Sequence, residues 1–422
     1  MRFAILGSRG YPSTYGGYET LVRHLAPHLV ESGHEVTAYC RDRDGGPRRW
    51  TANGVRCIAP PGIETKSLST LSFGLTSTAD AALRRFDAVL VLNIANGFWF
   101  PALRAARTPF AVNTDGIEWE RGKWSALGRA TFRAGARMTA RHADALVCDS
   151  RAIAAVWRDL FDRDSNFIPY GAPVLYDIGS SRLRPLGLAD EPYVLIVARL
   201  VPENNVELTL DALDLLGDDA PRAVVVGSAN FDSPIETRLK AAQAGGRLQW
   251  LGHVDDQNLL NELWANAAVY VHGHSVGGTN PSLLQAMGAG APTLALDTPF
   301  NAEVLPYAEH LFPDEAGSLA ARIARIVESP ALQHEMSERG RSLVRDRYDW
   351  TDVCNAYTDL LTQLARRSYV SPAASGPFMP ERLTVPIPGV GGERGRREVP
   401  EHGARVSIAA VELANESVSA DV

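Results

Sequence analysis

Cysteine is scarce and unpaired. Cys40, Cys57, Cys148 and Cys354 are spread over 422 residues with no C-x-x-C pair, which excludes a disulfide framework and a zinc knuckle and suits a reducing, cytoplasmic compartment. Long apolar runs are missing too. The longest, Ala88–Leu103, is broken by Asn93, Asn96 and Pro101, short of the ~18 apolar residues a membrane span needs. Basic residues do not dominate: 42 Lys and Arg stand against 49 Asp and Glu, a net charge of −7. That argues against a nucleic-acid partner and leaves room only for local basic patches. The first strand-to-helix turn lacks G-x-G-x-x-G, the glycine fingerprint of dinucleotide binding. An NAD-dependent oxidoreductase is disfavoured on that ground, although Asp42 and Asp44 stand where a ribose-binding acid would be expected.

What remains is globular, 45% hydrophobic and 22% charged, and long enough for two domains. Met1–Gly7 reads as a buried strand ending in a glycine turn rather than as a signal peptide. Short β-branched runs follow at Glu35–Tyr39, Ala88–Leu92, Phe110–Asn113 and Ala145–Cys148, with helical patterns such as Glu19–Ser32 and Ser125–Arg141 between them. The alternation restarts at Tyr193–Val197 and continues through Arg222–Val226, Leu248–Leu251, Ala268–His272 and Thr293–Leu296. Strands alternating with helices of this length predict an α/β fold of two Rossmann-like, doubly wound parallel sheets. The breaker-rich stretch Pro173–Pro192 reads as the joint. The expected domains are 1–175 and 176–349, with a returning helix over 350–367. Between Pro372 and Pro400, 11 of 29 residues are Pro or Gly, so 369–422 reads as a largely unstructured tail with a short strand or helix near Val406–Leu413.

Five segments carry candidate chemistry. His274–Gly288, after the apolar run Ala267–Val271, is a glycine loop entering a helix. It reads either as a diphosphate cradle of backbone N–H groups at a helix N-terminus or as an ordinary strand-to-helix turn. In Gly7–Glu19, Gly7, Gly10, Gly16 and Gly17 form a long loop from which Arg9 projects. In Asn113–Trp124, Asp115 lies at the carboxyl end of a strand, where open α/β sheets bind ligands, or is simply a turn residue before Gly116. Trp119 and Trp124 are either core or sugar-stacking residues. Arg199 follows the first strand of the second series, where a guanidinium can neutralise a diphosphate without regard to pH. Glu203 is either a second carboxylate of the site or a helix-start acid. Arg129, Arg133, Arg137 and Arg141 repeat at i, i+4, a stripe that suits anionic lipid headgroups or a solvated face.

The first four of these, in chain order Gly7–Glu19, Asn113–Trp119, Arg199–Asn205 and His274–Met287, resemble the GT-B glycosyltransferases, and within them the family 4 branch that contains bacterial β-1,4-rhamnosyltransferases. The resemblance covers about residues 1–367. It implies two domains facing a cleft, a nucleotide-sugar donor held mainly by the second, no divalent metal or other cofactor, and retention at the anomeric carbon. It assigns catalytic roles to Asp115, Arg199 and Glu203. Donor contacts fall to Gly16, Gly17, Asn204, Gly278, Thr279, Asn280, Pro281, Ser282, Leu283 and Gln285, with Arg9, Glu19 and Glu118 on the acceptor side. The family's usual paired glutamates would fall at Gly277 and Gln285, and neither is acidic here. Gln285 accepts a hydrogen bond from a ribose hydroxyl without the strength a charge adds.

The implied activity is transfer of a deoxyhexose such as L-rhamnose from a nucleoside diphosphate to a cell-surface or lipid-linked glycan, at the inner face of the membrane. A nucleotide-sugar epimerase of the same fold and an inactive nucleotide-sugar-binding protein are the other readings.

Overall fold

The strand segments are apolar at successive positions rather than alternate ones, as strands covered on both faces must be. The computed structural model describes residues 1–12, 16–41, 48–64, 69–120, 125–229 and 234–372. The first sheet contains β1 (Arg2–Leu6), β2 (Glu35–Tyr39), β3 (Arg49–Ala52), β4 (Val55–Ile58), β5 (Ala88–Leu92), β6 (Phe110–Asn113), β7 (Ala145–Cys148) and β8 (Asn166–Phe167). Its order is β3-β4-β2-β1-β5-β6-β7-β8, parallel except for the β3/β4 pair. The second sheet holds β9 (Tyr193–Val197), β10 (Arg222–Val226), β11 (Leu248–Gly252), β12 (Val269–His272), β13 (Thr293–Leu296) and β14 (Leu311–Phe312), in the order β11-β10-β9-β12-β13-β14. Each sheet reverses direction beside its first strand, at β1/β5 and at β9/β12. Such switch points open crevices at the carboxyl ends of strands.

Alternation within strands assigns the two faces. Phe3 and Ile5 join one core cluster and Ala4 and Leu6 another; Tyr193 and Leu195 likewise separate from Val194 and Ile196. The cluster containing Phe3, Ile5, Tyr193 and Leu195 runs through both sheets without a break. All described residues accordingly fall in one compact unit.

The helices are α1 (Gly17–Glu31), α2 (Ser69–Arg84), α3 (Phe100–Ala105), α4 (Ala126–His142), α5 (Arg151–Phe161), α6 (Val206–Leu216), α7 (Pro234–Ala244), α8 (Gln257–Ala265), α9 (Pro281–Ala289), α10 (Pro299–Val304), α11 (Ala316–Val327), α12 (Pro330–Arg347) and α13 (Trp350–Ala365). Four short strands escaped the sequence reading: β3, β4, β8 and β14. β8 and β14 run two residues, too short for a periodic signal, and β3 and β4 run four with Arg49, Thr51 and Arg56 interrupting the apolar pattern. Tyr369, assigned above to the unstructured tail, accepts a hydrogen bond from Asn166 Nδ2 at 3.0 Å. Residues 373–422, with the expectation near Val406–Leu413, lie outside the described residues.

Helix α13 packs on α1, β5 and β6 of the first sheet, whereas α12 packs on α9 of the second. His24 of α1 stacks on Trp350 at the start of α13, ring centroids 4.1 Å apart. Burial, aided by neighbouring Arg23, pushes the His24 imidazole from 6.5 down to about 4. His310, also buried, is pushed down to about 4. A depressed folded-state pKa gives a contribution that is complete above about 6.5 and is lost as pH falls through about 4. Urea-unfolding midpoints are therefore expected to fall between pH 6.5 and 4. His24→Phe, which keeps a ring on Trp350 but cannot titrate, should make that fall shallower. An unchanged acid slope would contradict the role given to His24.

Candidate active site

The carboxyl ends of β9 and β12 are stitched together by side chains. Asn205 Nδ2 donates to Gly273 O at 2.8 Å, and both the N–H and the hydroxyl of Ser275 donate to Glu203 O at 2.9 Å. Arg199 stands exposed at the end of β9 and makes no ion pair among the described residues. Glu203 is half-buried, and its backbone carbonyl carries the stitch. Asn204 does not face ligand space as the sequence reading had it. It is 3% exposed, and its amide donates to Arg199 O at 2.9 Å, bracing the segment that bears the guanidinium.

The glycine loop precedes α9, whose first turn is already capped. Asn280 Oδ1 accepts from Ser282 N at 3.1 Å and from Ser282 Oγ at 2.9 Å, while Asn280 O accepts from Leu283 N and Leu284 N. Pro281 has no N–H to offer. The expected cradle of N–H groups at Asn280–Leu283 is thus corrected. Among the backbone N–H groups that donate to nothing among the described residues are those of Gly277, Gly278, Thr279 and Asn280, on the loop itself. Leu283 is fully buried and serves the core. Gln285, one turn into α9, is half-buried, and its side chain makes no hydrogen bond among the described residues.

A buried polar line underlies the loop. Tyr270 Oη lies 3.0 Å from His272 Nδ1 and 3.4 Å from Ser282 Oγ, and the His272 and His274 rings stack with centroids 4.1 Å apart. Burial, then His274, holds His272 well below its ordinary pKa. The imidazole is neutral, and β12 is locked to the α9 cap.

Across the cleft the loop lies against the first sheet. Thr279 donates its hydroxyl to Asp149 O and is buried, so its side chain is an interlobe tie rather than a ligand contact. A Cβ added to Gly278 would come within 2.0 Å of Asp149 Oδ1, so a larger residue there would displace that carboxylate or the loop. Gly17 at the start of α1 faces Tyr170 and Pro281, 3.3 and 3.6 Å from where its Cβ would lie. Glu303 of α10 adds a second tie, accepting from Ser150 Oγ at 2.9 Å and Arg151 N at 2.9 Å, at the N-terminus of α5. Burial raises its carboxyl pKa.

Asp115 is half-buried with φ of +53°, and its N–H donates to Asn113 Oδ1 at 2.9 Å. Asn113 in turn donates through Nδ2 to Tyr357 Oη of α13 at 2.7 Å. The returning helix therefore orients the strand end that carries Asp115. Glu118 is nearly buried beside it. Tyr18 and Tyr170 share this environment: burial first, then the charge of Asp115, with Asp149 contributing further, raises both phenols well above their usual pKa. Gly16, with φ of +105°, precedes α1, and its carbonyl accepts from Thr20 N. Glu19 is buried and accepts from Arg9 N at 2.7 Å, which makes it a brace for the loop rather than an acceptor ligand. Arg9 itself is exposed. Trp119 is core, packed edge-on against Trp157 and Phe161, and Trp124 lies outside the described residues.

Sequence reasoning missed Asp149, Tyr18, Tyr170 and Glu303. Asp149 was findable, because it follows β7 just as Asp115 follows β6. Tyr18 sat inside a motif singled out above. Nothing local marked Tyr170 or Glu303.

Residues 16–171 match the family described as glycosyl transferase 4-like domain, and residues 183–343 match glycosyl transferases group 1. The chain is 31% identical over 159 residues to the phosphatidyl-myo-inositol mannosyltransferase of Mycolicibacterium smegmatis, which covers 36% of this chain and 40% of that protein. The chain spans little more than a third of the curated relatives it matches, 36% and 40% of their lengths. Among solved structures, sucrose-phosphate synthase from Thermosynechococcus elongatus superposes with a TM-score of 0.75 at 20% identity, covering 87% of this chain and all of that one. Anabaena HepE in complex with UDP-glucose superposes with a TM-score of 0.69 at 17% identity, covering 86% of this chain and all of that one. At these identities the likeness establishes the fold.

Proposed function

We propose that this chain, built from the two domains of the GT-B glycosyltransferases and similar to their family 4, moves a sugar from a nucleoside diphosphate to a glycan acceptor. The observation that carries the reading is one juxtaposition. The exposed Arg199 and the unused N–H groups of 277–280 stand at the β9/β12 switch point, and Asp115, Glu118, Tyr18 and Asp149 group at the strand ends across from them. The first set suits a diphosphate and the second a centre that gains positive charge.

In the proposed reaction the bond from the anomeric carbon to the diphosphate oxygen breaks, and its electron pair leaves with the diphosphate. Arg199 and the loop N–H groups offset the charge that develops, so no metal is required. Asp115 steadies the oxocarbenium-like sugar or orients the acceptor hydroxyl. That hydroxyl attacks the same face, giving retention, and its proton passes to the diphosphate oxygen that received the pair. Gln285 takes the ribose. The mannosyltransferase relative and the UDP-glucose complex support a nucleotide-sugar donor. The motif resemblance favours L-rhamnose as the sugar.

Helix α4 supports a lipid-linked acceptor at an anionic membrane surface. Its small residues Gly135, Ala136, Thr139 and Ala140 are buried, whereas Arg129, Arg133, Arg137 and Arg141 are exposed and make no ion pair among the described residues. Leu127 at its start is 79% exposed. No helix among the described residues is long and apolar enough to cross a membrane, so contact of this kind would be peripheral.

Transfer assays over a panel of nucleotide sugars test the assignment. Arg199→Ala and Asp115→Asn are each expected to lower turnover about 10²-fold or more, the usual effect of removing one transition-state partner, and near-normal turnover in both would remove the site. Donor incubated alone should give at most slow hydrolysis, since a new sugar nucleotide would mark an epimerase. Neutralising Arg129, Arg133 and Arg137 together should weaken cosedimentation with phosphatidylserine vesicles at least tenfold, at about 1 kcal/mol per basic residue. Unchanged sedimentation would return α4 to a solvated face.

A further inference from the structure

The second sheet has a groove at the end away from the proposed donor chemistry. Its walls come from α11 and α12, and part of its rim is Glu309, which stands just before β14. Strands β13 and β14 run parallel, so Glu309 lies at the amino ends of the strands, whereas Arg199 and the glycine loop lie at the carboxyl ends. The groove encloses about 190 Å³ and is open to solvent. That is room for a small organic molecule, many times what one water needs.

Its charges are unevenly matched. Arg339 of α12 engages both carboxylates on the rim: Nη1 pairs with Glu309, and Nη2 lies 2.5 Å from Glu335 Oε1, one turn earlier on the helix. The same guanidinium lies over the Tyr307 ring, 5.0 Å from its centroid, which holds it in place. Arg322 and Arg325 line the α11 wall three residues apart, and neither makes an ion pair among the described residues. Arg322 donates one N–H to Glu309 O at 3.3 Å. Like charges at this spacing on one helix repel, and an anion seated between them would relieve that. Arg325 also complements the C-terminal end of α11, but that role asks nothing of Arg322. Two guanidinium forks with open N–H groups on one wall suit the oxygens of a phosphate.

Between the charged groups the lining is apolar. Leu332 is half-buried, and Ile326 and Met336, 3% and 1% exposed, close the floor beneath it. Glu309 and Glu335 on the rim would repel a second anionic group, so the groove favours a single phosphate on an uncharged body.

We propose that this groove is a second binding site, for an organic phosphate monoester. The phosphate meets Arg322 and Arg325, and its uncharged body lies on Leu332. The site is defined by its own residues and does not depend on the glycosyltransferase reading.

Titration calorimetry with phenyl phosphate, inorganic phosphate and phenol tests it, on the full chain carrying Arg199→Ala so that the proposed donor side contributes little. Phenyl phosphate should bind at least roughly tenfold more tightly than phenol, the effect of a charge-assisted contact, and more tightly than inorganic phosphate, which has no body to lay on Leu332. Replacing Arg322→Gln and Arg325→Gln together should weaken phenyl phosphate roughly tenfold or more, with the two lysine replacements restoring part of the loss. Leu332→Asn should remove the preference for phenyl phosphate over inorganic phosphate and leave the latter unchanged. Should the paired glutamines lower the melting temperature, Arg325→Gln alone, on an exposed side chain, reads the same loss. Phenyl phosphate binding that is absent, unaffected by the glutamines, or no tighter than that of inorganic phosphate would overturn the proposal. A thermal shift with nucleotide sugars, on the chain with Arg199 intact, reads the donor site separately.

Discussion

The contact on which the active-site geometry depends is the docking of the glycine loop on the end of β7. The proposed donor groups belong to the second sheet and the carboxylates proposed to face them belong to the first, so neither set is complete alone. Thr279 bonds to the Asp149 carbonyl, and Gly278 lies so close to the Asp149 carboxylate that a Cβ there would press on it. Glu303 repeats the same logic at the N-terminus of α5. A carboxylate accepting N–H and O–H donors at a helix start is favourably placed. Burial outweighs these donors and raises its pKa. The loop cannot place its N–H groups without also fixing the distance between lobes.

Much of the fold was legible because its strands are short, apolar and regularly spaced. The other ten strands lie within a residue of where the apolar runs put them, and α1 and α4 begin and end within two residues of the helical patterns at Glu19–Ser32 and Ser125–Arg141. The site was legible only in outline. Residue type and position after a strand pointed to Asp115 and Arg199, but the same signal could not tell a ligand contact from a brace. Asn204, Glu19 and Thr279 are polar residues in glycine-rich loops, and all three turn inward to hold those loops. What decides their role is the partner each finds, and those partners lie 5, 10 and 130 residues away. Tyr170 and Glu303 depend on contacts between lobes, which no local pattern encodes.

The loop itself illustrates the difference. A glycine run before a helix suggests an anion at the helix N-terminus. Here Asn280 satisfies that terminus, and the open donors move one turn earlier, onto the loop. Pro281 fits this arrangement, because its missing N–H falls where no donor is needed. The charge on a diphosphate would then meet Arg199 and four loop amides rather than the helix end. In the proposed arrangement this also lessens the demand on Gln285, whose neutral amide would have the ribose alone to hold.

The central claim is that the donor diphosphate sits on the amides of Gly277–Asn280. Backbone hydrogen exchange with and without saturating nucleotide sugar reads those amides directly. The account predicts added protection at Gly277–Asn280, with Ser282–Leu284 unchanged because Asn280 already engages them. Protection confined to the first turn of α9, or none in either segment, would contradict it.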